Sequence, residues 1–374
     1  MRGGDTVRSR ERLTRFFKGE SVDRPPIWLL FPYHKVDYYA DVYNNPHYRE
    51  ILAKVEEHDV DIFNRRNFDT GFCFNASKEL EVEIVEERNG RDVVYHQVVR
   101  AQGREFEKSY TYRNGLTMTL KHFVESVEDL EAILTLPYEP PRPSLDFFFA
   151  DREELGDRGL MMADPGDAVA TVYHLCGPEN FSLWSILEPE RLQRALDEVH
   201  QRVMHFYRYL LEGGIGPVFF AVGAEFAGPP MIAPRDFWPI AGQRFKEMVD
   251  LVHSYGCFFI LHYHGNIKQV LPRIREIGPD GVHTIEAPPV GDCTISEARE
   301  ILGSEIALIG NVQYDDLRRL TPDEITKMVY SCLEEGAGGR FILSPTAGPY
   351  EEVISEGMIR NYIAFIEAGV EGGK

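Results

Sequence analysis

Two histidines separated by one residue, His262 and His264, have the type and spacing that point most directly to chemistry. They stand in the run Leu261-His262-Tyr263-His264-Gly265-Asn266, directly after an apolar segment that is typical of a strand. In an extended segment, side chains two residues apart point to the same side of the sheet, with Cα atoms ~6.5–7 Å apart. Both imidazoles can therefore approach one ion. A lone histidine at a strand end is more often a structural residue, so the pairing carries the hypothesis.

Two acids, Glu225 and Glu286, follow the predicted strands before and after the histidine pair. Together with the imidazoles they would form a set of two nitrogen and two carboxylate ligands, which suits Zn²⁺. We therefore predict that the catalytic and metal-binding residues are Glu225, His262, His264 and Glu286. Taken alone, Glu286 fits a solvated rim residue equally well.

Eight short apolar runs, most of them followed by a helix-like stretch, are the elements that must position these side chains. The predicted strands cover residues 26–31, 60–63, 160–163, 217–223, 257–262, 281–286, 306–310 and 341–344. Repeated strand-helix order implies parallel strands, and eight of them favour an α/β fold closed as a (β/α)8 TIM barrel. A Rossmann sheet is the alternative, but no Gly-x-Gly-x-x-Gly follows any predicted strand. In a barrel of this kind, catalytic groups lie where the strands end.

Between the second and third predicted strands, the sequence changes to an alternation of apolar and polar residues. Segments 79–87, 92–101 and 105–113 alternate, and Asn89-Gly90 and Asn114-Gly115 separate them as turns. This pattern predicts a β-meander insertion, approximately residues 79–122, that covers the barrel mouth. We expect residues 1–374 to form a single barrel domain that includes the insertion.

The composition excludes several classes of protein. A net charge of −20 disfavours binding to nucleic acid. No apolar run of ~18 residues is present to span a membrane, and the charged N-terminus lacks the apolar core of a secretory signal. Five scattered cysteines without a Cys-x-x-Cys pair fit reduced thiols. We expect a cytoplasmic enzyme that acts on a small molecule, and a homodimer is compatible with the sequence.

Four motifs occur along the chain in a characteristic order. They are Asp23-Arg24-Pro25-Pro26-Ile27-Trp28, Val172-Tyr173-His174-Leu175-Cys176-Gly177-Pro178-Glu179-Asn180, the run around His262 and His264, and Ala307-Leu308-Ile309-Gly310-Asn311. In this order and spacing they resemble the uroporphyrinogen decarboxylase superfamily, whose barrels include the haem-pathway decarboxylase and corrinoid-dependent methyltransferases. The resemblance covers most of the chain.

Two departures from the motifs of that family indicate which branch the chain resembles. Phe31-Pro32-Tyr33-His34 stands where the decarboxylases carry Gln-Ala-Gly-Arg, whose arginines bind porphyrinogen carboxylates. Thiol-methylating members bind zinc through His-x-Cys and a distant Cys, whereas this chain has His264 and Ala347 at those positions. A zinc ion held by imidazole and carboxylate is a harder centre than one held by sulfur, and it suits substrates that react through oxygen.

The resemblance therefore implies a zinc-dependent methyltransferase of the O-demethylase kind. Such an enzyme passes a methyl group from a small, methoxylated substrate to the cobalt of cobalamin carried by a separate corrinoid protein. The residues predicted to bind the substrate are Tyr33, His34, Arg66, Tyr173 and Asn311. Arg66 is the best anchor for a substrate carboxylate, because its guanidinium can bind both oxygens.

Two alternatives stay open at this point. The first keeps the fold and makes the protein a decarboxylase or lyase that acts on a small carboxylic acid without a metal. Arg65 or Arg66 would then bind the carboxylate while the histidines move protons. The second is a barrel that binds a corrinoid or a partner protein without turnover, because a fold does not determine a function.

Overall fold

The computed structural model of the chain describes residues 7–36, 39–89, 92–113 and 116–373. Its strands are β1 (Ile62–Asn67), β2 (Glu81–Asn89), β3 (Asp92–Ala101), β4 (Arg104–Arg113), β5 (Leu116–Lys121), β6 (Gly159–Asp164), β7 (Val218–Ala221), β8 (Phe258–His262), β9 (Gly281–His283), β10 (Ala307–Val312) and β11 (Phe341–Pro345). Its helices are α1 (Ser9–Phe17), α2 (Arg49–Glu57), α3 (Val127–Leu134), α4 (Asp146–Leu155), α5 (Ala168–Leu187), α6 (Pro189–Glu212), α7 (Gln243–Ser254), α8 (Leu271–Ile277), α9 (Ile295–Leu302), α10 (Tyr314–Arg319), α11 (Pro322–Gly336) and α12 (Glu356–Gly372).

Seven of these strands form one parallel sheet in the order β1-β6-β7-β8-β9-β10-β11. Strands that are neighbours in this sheet follow one another in the chain, except that β2 to β5 lie between β1 and β6. Helices connect the successive strands of the parallel sheet. The fold is therefore of the mixed α/β class, as the repeated strand-helix order predicts. All seven strands lie within or overlap runs that the sequence analysis predicted.

The first of the eight predicted strands forms two isolated bridges instead of a ladder. Ile27 bridges Leu343 of β11, and Trp28 bridges Asp61 beside β1, so this segment bonds to both outer strands of the sheet. The Trp28 N–H donates to the Leu343 carbonyl at 2.9 Å, and the Asp61 N–H donates to the Ile27 carbonyl at 3.0 Å. A longer ladder cannot form on the preceding side, because Pro26 has no N–H to donate.

The strand side chains alternate between two apolar cores. One face of the parallel sheet packs against the surrounding helices. We call the other face the inner face. Its side chains from different strands pack against one another and against α1, where Phe17 stacks on Phe258 with ring centroids 5.0 Å apart. The strand residues of this inner core are Phe63, Leu160, Met162, Val218, Phe220, Ile260, Ala307, Ile309 and Ile342. Residues that continue this alternation at the carboxyl ends of the strands meet on the same inner face.

A four-stranded antiparallel sheet with the order β2-β3-β4-β5 occupies the chain between β1 and β6. Three of its strands correspond to the predicted alternating segments, whereas β5 was not predicted. Val99, Ala101 and Phe106 are buried and join the core on the helix side of the parallel sheet. The turns predicted at Asn89-Gly90 and Asn114-Gly115 include residues outside the described part of the chain.

Two helices begin at well-defined local features of the sequence. The helical segment over residues 234–255 begins as a short 3-10 turn (Pro234–Asp236) and a π turn (Trp238–Gly242), and becomes α-helical only in α7. Helix α12 begins at Glu356, because the Ser355 side chain accepts the N–H of Met358 and caps the helix there. Among the described residues, no helix is long and apolar enough to cross a bilayer.

Candidate active site

His262 and His264 lie together at the carboxyl end of β8, as the strand alternation predicts. His262 is the last residue of β8 and shares the inner face with Ile260, two residues earlier. The rings of His262 and His264 meet edge to face with centroids 4.5 Å apart. Gly265 follows with φ +80°, a conformation that favours glycine, and it turns the chain away directly after the pair.

Glu225 lies in a 3-10 turn (Gly223–Ala227) that follows β7. Its Oε2 accepts the backbone N–H of His264 at 2.9 Å and lies 3.8 Å from Nε2 of His262. Burial raises the pKa of Glu225 above its ordinary value, and the negative charge of Glu286 adds to this rise. Each of Glu225, His262 and His264 offers one ligand atom, and these three atoms lie within 4.8 Å of one another. We call these three residues the inner cluster.

Glu286 contacts the inner cluster through His264. It lies three residues beyond the end of β9 and is only 4% exposed. Its Oε2 accepts the N–H of Gly265 at 2.7 Å and lies 3.2 Å from Nδ1 of His264. Burial lowers the pKa of His264, but the neighbouring Glu286 and Glu225 raise it by more, so the pKa lies above the ordinary value. The predicted set of four therefore divides into three residues that face one another and a fourth that contacts His264.

His283 is a member of this site that the sequence analysis did not select. It ends β9 on the inner face, and its Nδ1 lies 2.7 Å from Nδ1 of His262, with the two rings stacked at 4.9 Å. Burial lowers the pKa of His283 to about 3 and holds the pKa of His262 well below its ordinary value, so both rings are neutral near pH 7. A contact this short between two neutral rings needs one N–H donor and one acceptor nitrogen.

A cavity of about 240 Å³ opens next to the inner cluster and His283. Its other lining residues are mainly apolar or aromatic, and they are Trp28, Leu30, Phe31, Pro32, Val36, Tyr39, Phe63, Arg65, Phe220, Val222, Thr346, Ala347 and Tyr350. Ala347 lines the same cavity as the histidines, and none of the five described cysteines does. The site therefore combines a small polar cluster with an apolar wall, which is typical of a small-molecule site.

Arg65, and not Arg66, faces this cavity. Arg65 shares the inner face with Phe63, two residues earlier, and its guanidinium lies 4.6 Å from the centre of the Phe220 ring. Its Nε donates to the Asp164 carboxylate at 2.8 Å. Alternation turns Arg66 to the opposite side, where its Nη1 lies 3.2 Å from Oδ2 of Asp151.

The other predicted substrate residues are not cavity-lining residues. Tyr33 donates to Glu154 at 3.3 Å, and Nε2 of His34 lies 3.5 Å from Oδ1 of Asp151, so both lie near α4 with Arg66. Tyr173 is on α5, where its ring stacks on Phe226 with centroids 4.0 Å apart.

Asn311 is also turned away from the cavity, because its amide oxygen accepts from the Cys332 thiol of α11 at 3.2 Å. The regular alternation would place it on the inner face with Ile309, but Gly310 intervenes with φ +153°. The structure thus brings the four predicted metal-site residues together, whereas none of the five predicted substrate residues lines the cavity beside them.

The comparisons with known proteins agree with this architecture. Residues 112–369 match the family model of uroporphyrinogen decarboxylase. The chain is 24% identical to a methylated-thiol–coenzyme M methyltransferase of Methanosarcina mazei over 167 residues, which are 44% of this chain and only 42% of that relative. It is 21% identical to a uroporphyrinogen decarboxylase of Parasynechococcus marenigrum over 89% of each chain.

Among solved structures, a methyltransferase from Methanosarcina mazei superimposes with a TM-score of 0.61 and 18% identity. The match covers 98% of this chain and 99% of that one, which shows that the two share a fold. The family model covers well over half of the sequence, and it confirms the family that the four sequence motifs predict. The chain belongs to the uroporphyrinogen decarboxylase (URO-D) family.

Proposed function

We propose that this protein is a corrinoid-dependent methyltransferase of its family. It takes a methyl group from a small, methoxylated substrate and passes it to cobalt held by a separate corrinoid protein. The observation that carries the proposal is the inner cluster, two imidazoles and a carboxylate within 4.8 Å of one another at the wall of an apolar cavity. The similarity to a methyltransferase of Methanosarcina mazei supports it.

The proposed fold for this function is a (β/α)8 barrel over residues 1–374. The bridges at Ile27 and Trp28 join the two outer strands of the parallel sheet and would stand for the eighth strand. The antiparallel sheet would be an insertion beside the barrel mouth. The inner cluster then lies at the carboxyl ends of the strands, where barrel enzymes carry their chemistry.

Zinc is the metal that the donor set favours. Two neutral imidazoles and one carboxylate are ordinary zinc ligands and leave a fourth position for substrate or water. Nδ1 of His262 is engaged by His283, so Nε2, the nitrogen nearer to Glu225, would bind the metal. For that, His262 must keep its proton on Nδ1 and donate it to His283, which makes His283 a positioning residue. Glu286 would position His264 in the same way.

In the proposed reaction, the bond between the methyl carbon and the substrate oxygen breaks, and the methyl group moves to Co(I). The oxygen keeps the electron pair of that bond and is then protonated. When bound, zinc would act as a Lewis acid that stabilises the charge on the departing oxygen. Among the described lining residues there is no cysteine, and this favours an oxygen leaving group over sulfur. Arg65 takes the anchoring role that the sequence analysis gave to Arg66, because it is the arginine that lines the cavity.

The test measures zinc content and methyl transfer together. The purified protein should contain about one zinc per chain, and it should methylate free cob(I)alamin from at least one of a panel of methoxylated compounds. His264→Ala should lose both the metal and the activity, whereas His47→Ala, which removes an exposed imidazole, should keep both. A protein without stoichiometric metal, or an active His264→Ala variant, would contradict the proposal.

A decarboxylase or lyase that needs no metal is the second candidate, because Arg65 in the cavity could bind a substrate carboxylate beside the histidines. A second assay separates the two. Activity on small carboxylic acids after complete removal of metal by a chelator would favour this candidate over the methyltransferase.

A further inference from the structure

A second cavity, which we call the side cavity, lies between the antiparallel sheet and α5. Its volume is about 450 Å³, and it shares no lining residue with the cavity beside the inner cluster. Residues 69–74, the loop after β1, form part of its wall, and β2, β3, β4, α5 and Phe123 contribute the rest. The two cavities are therefore separate sites.

Lys108 is the cation in the wall of the side cavity. It lies on β4 directly opposite Gln97 of β3, so the two side chains share one face of the sheet. Its Nζ lies 5.7 Å from the centre of the Tyr110 ring, and no carboxylate of the described residues is within ion-pairing distance of it. Burial lowers the pKa of Lys108. An ammonium partly removed from water without a carboxylate is unfavourable, and a bound anion would relieve this cost.

Two neutral polar groups line the cavity with Lys108. These are the Gln97 amide and the imidazole of His174 on α5. Within the described part of the chain, neither side chain has a hydrogen-bond partner, so both are available to a ligand. His174 is exposed overall, but partial desolvation and the nearby Lys108 and His122 lower its pKa to about 4, so its neutral ring can donate one N–H. Asp69 also lines the cavity, but it is exposed, and its carboxylate accepts the N–H of Gly71 at 2.9 Å.

The remaining wall is apolar and aromatic. Phe72 and Phe123 meet edge to face with ring centroids 5.1 Å apart, and Leu175 adds an aliphatic surface. In the same loop, Cys73 and Phe74 have φ values of +54° and +56°, which are strained for residues other than glycine. Strain of this kind concentrates at binding sites, where the surrounding structure holds it. The wall therefore offers aromatic surface next to a cluster of donors.

We propose that the side cavity is a binding site for a small aromatic carboxylate. The carboxylate would accept from Lys108, with Gln97 and His174 as further donors, and the aromatic ring would pack against Phe72 and Phe123. A monoanion fits better than a more highly charged ligand, because Lys108 is the one cationic side chain among the described lining residues. This inference does not depend on the proposed methyltransferase activity.

The probe is 4-bromobenzoate, because the anomalous signal of bromine locates it in crystals of the full chain. We expect a bromine peak in the side cavity and saturable binding by calorimetry. Lys108→Met should weaken binding about tenfold or more, since a hydrogen bond to a charged group is lost, while Lys108→Arg should retain most of it. Lys121→Met is the matched control, because Lys121 lies on the same sheet but contacts Glu107 at 3.2 Å and does not line the cavity. The neutral 4-bromobenzamide should bind at least about tenfold more weakly.

A bromine peak found only beside His262, or no peak at all, would overturn the proposal. Equal affinities of the unmodified protein and a folded Lys108→Met variant would do so as well. The bromine position is measured on the unmodified protein, so it decides the question even where a variant is unstable. Because zinc content and methyl transfer are measured separately, failure of this site leaves the methyltransferase proposal unaffected, and the reverse also holds.

Discussion

Two clusters among the described residues bring three candidate metal ligands within 4.8 Å of one another, and their surroundings differ. The inner cluster is Glu225, His262 and His264, and a second set, which we call the outer cluster, is His34, Asp151 and Glu154. In the outer cluster, Arg66 already lies 3.2 Å from Asp151, and the Glu154 side chain is 62% exposed. One carboxylate there has a cation beside it, and the other is in water.

The inner cluster has the opposite surroundings. Neither Glu225 nor Glu286 has a lysine or arginine within ion-pairing distance among the described residues, and backbone N–H groups of His264 and Gly265 hold the two carboxylates in place. Partly or fully buried carboxylates without a lysine or arginine beside them favour a bound cation, whereas a carboxylate paired with arginine does not. The comparison therefore favours the inner cluster over the outer cluster as the proposed metal site, because its charge and burial differ although the ligand distances are alike.

The largest expected effect separates the two clusters directly. Glu225→Gln should lower zinc affinity by more than about 100-fold, beyond the range typical of residues that only support a ligand, because it removes a charged ligand. Glu154→Gln should leave zinc affinity unchanged. A competition titration against a chromophoric chelator measures both variants. Equal loss in the two variants, or loss in Glu154→Gln alone, would show that the outer cluster binds the metal.

Substitution of His283 should have a smaller effect on zinc affinity. It tests a feature of the inner cluster alone, because the outer cluster has no equivalent buried imidazole pair among the described residues. His283→Leu should weaken zinc binding by about 10–100-fold, because His262 loses the acceptor that fixes its proton on Nδ1. His283→Asn should recover much of this loss, because an amide oxygen can accept the same proton. The same chelator competition measures both variants. Identical behaviour of the two substitutions would indicate that His283 fills space without positioning His262.

The alternation of side chains along strands explains which parts of the site could be predicted from the sequence. It correctly placed His262 and His264 on one side, and the order of the predicted strands placed Glu225 and Glu286 beside them. The same rule would have selected Arg65 over Arg66 and would have found His283, had the ends of β1 and β9 been known. Strand ends are the least certain part of such a prediction.

Other features depend on contacts that no local pattern contains. Ile27 bridges Leu343, which is hundreds of residues away in the chain, and Trp28 bridges Asp61. The apolar run that contains Ile27 and Trp28 could therefore not show that this strand is limited to two bridges. Tyr173 was expected to bind the substrate, but it lies within α5, which begins at Ala168 because the Asp167 side chain accepts the N–H of Ala170 at 2.9 Å. The position of Asn311 depends on the backbone at Gly310.

The central claim is that the inner cluster binds zinc through imidazole and carboxylate without sulfur. X-ray absorption spectroscopy at the zinc edge of the purified protein tests it most directly, because sulfur and imidazole ligands give distinct scattering. We predict about two imidazole ligands, oxygen in the remaining positions and no zinc–sulfur distance near ~2.3 Å. A sulfur ligand would assign the metal to one of the five cysteines and would contradict the claim. A zinc-free protein would contradict it as well.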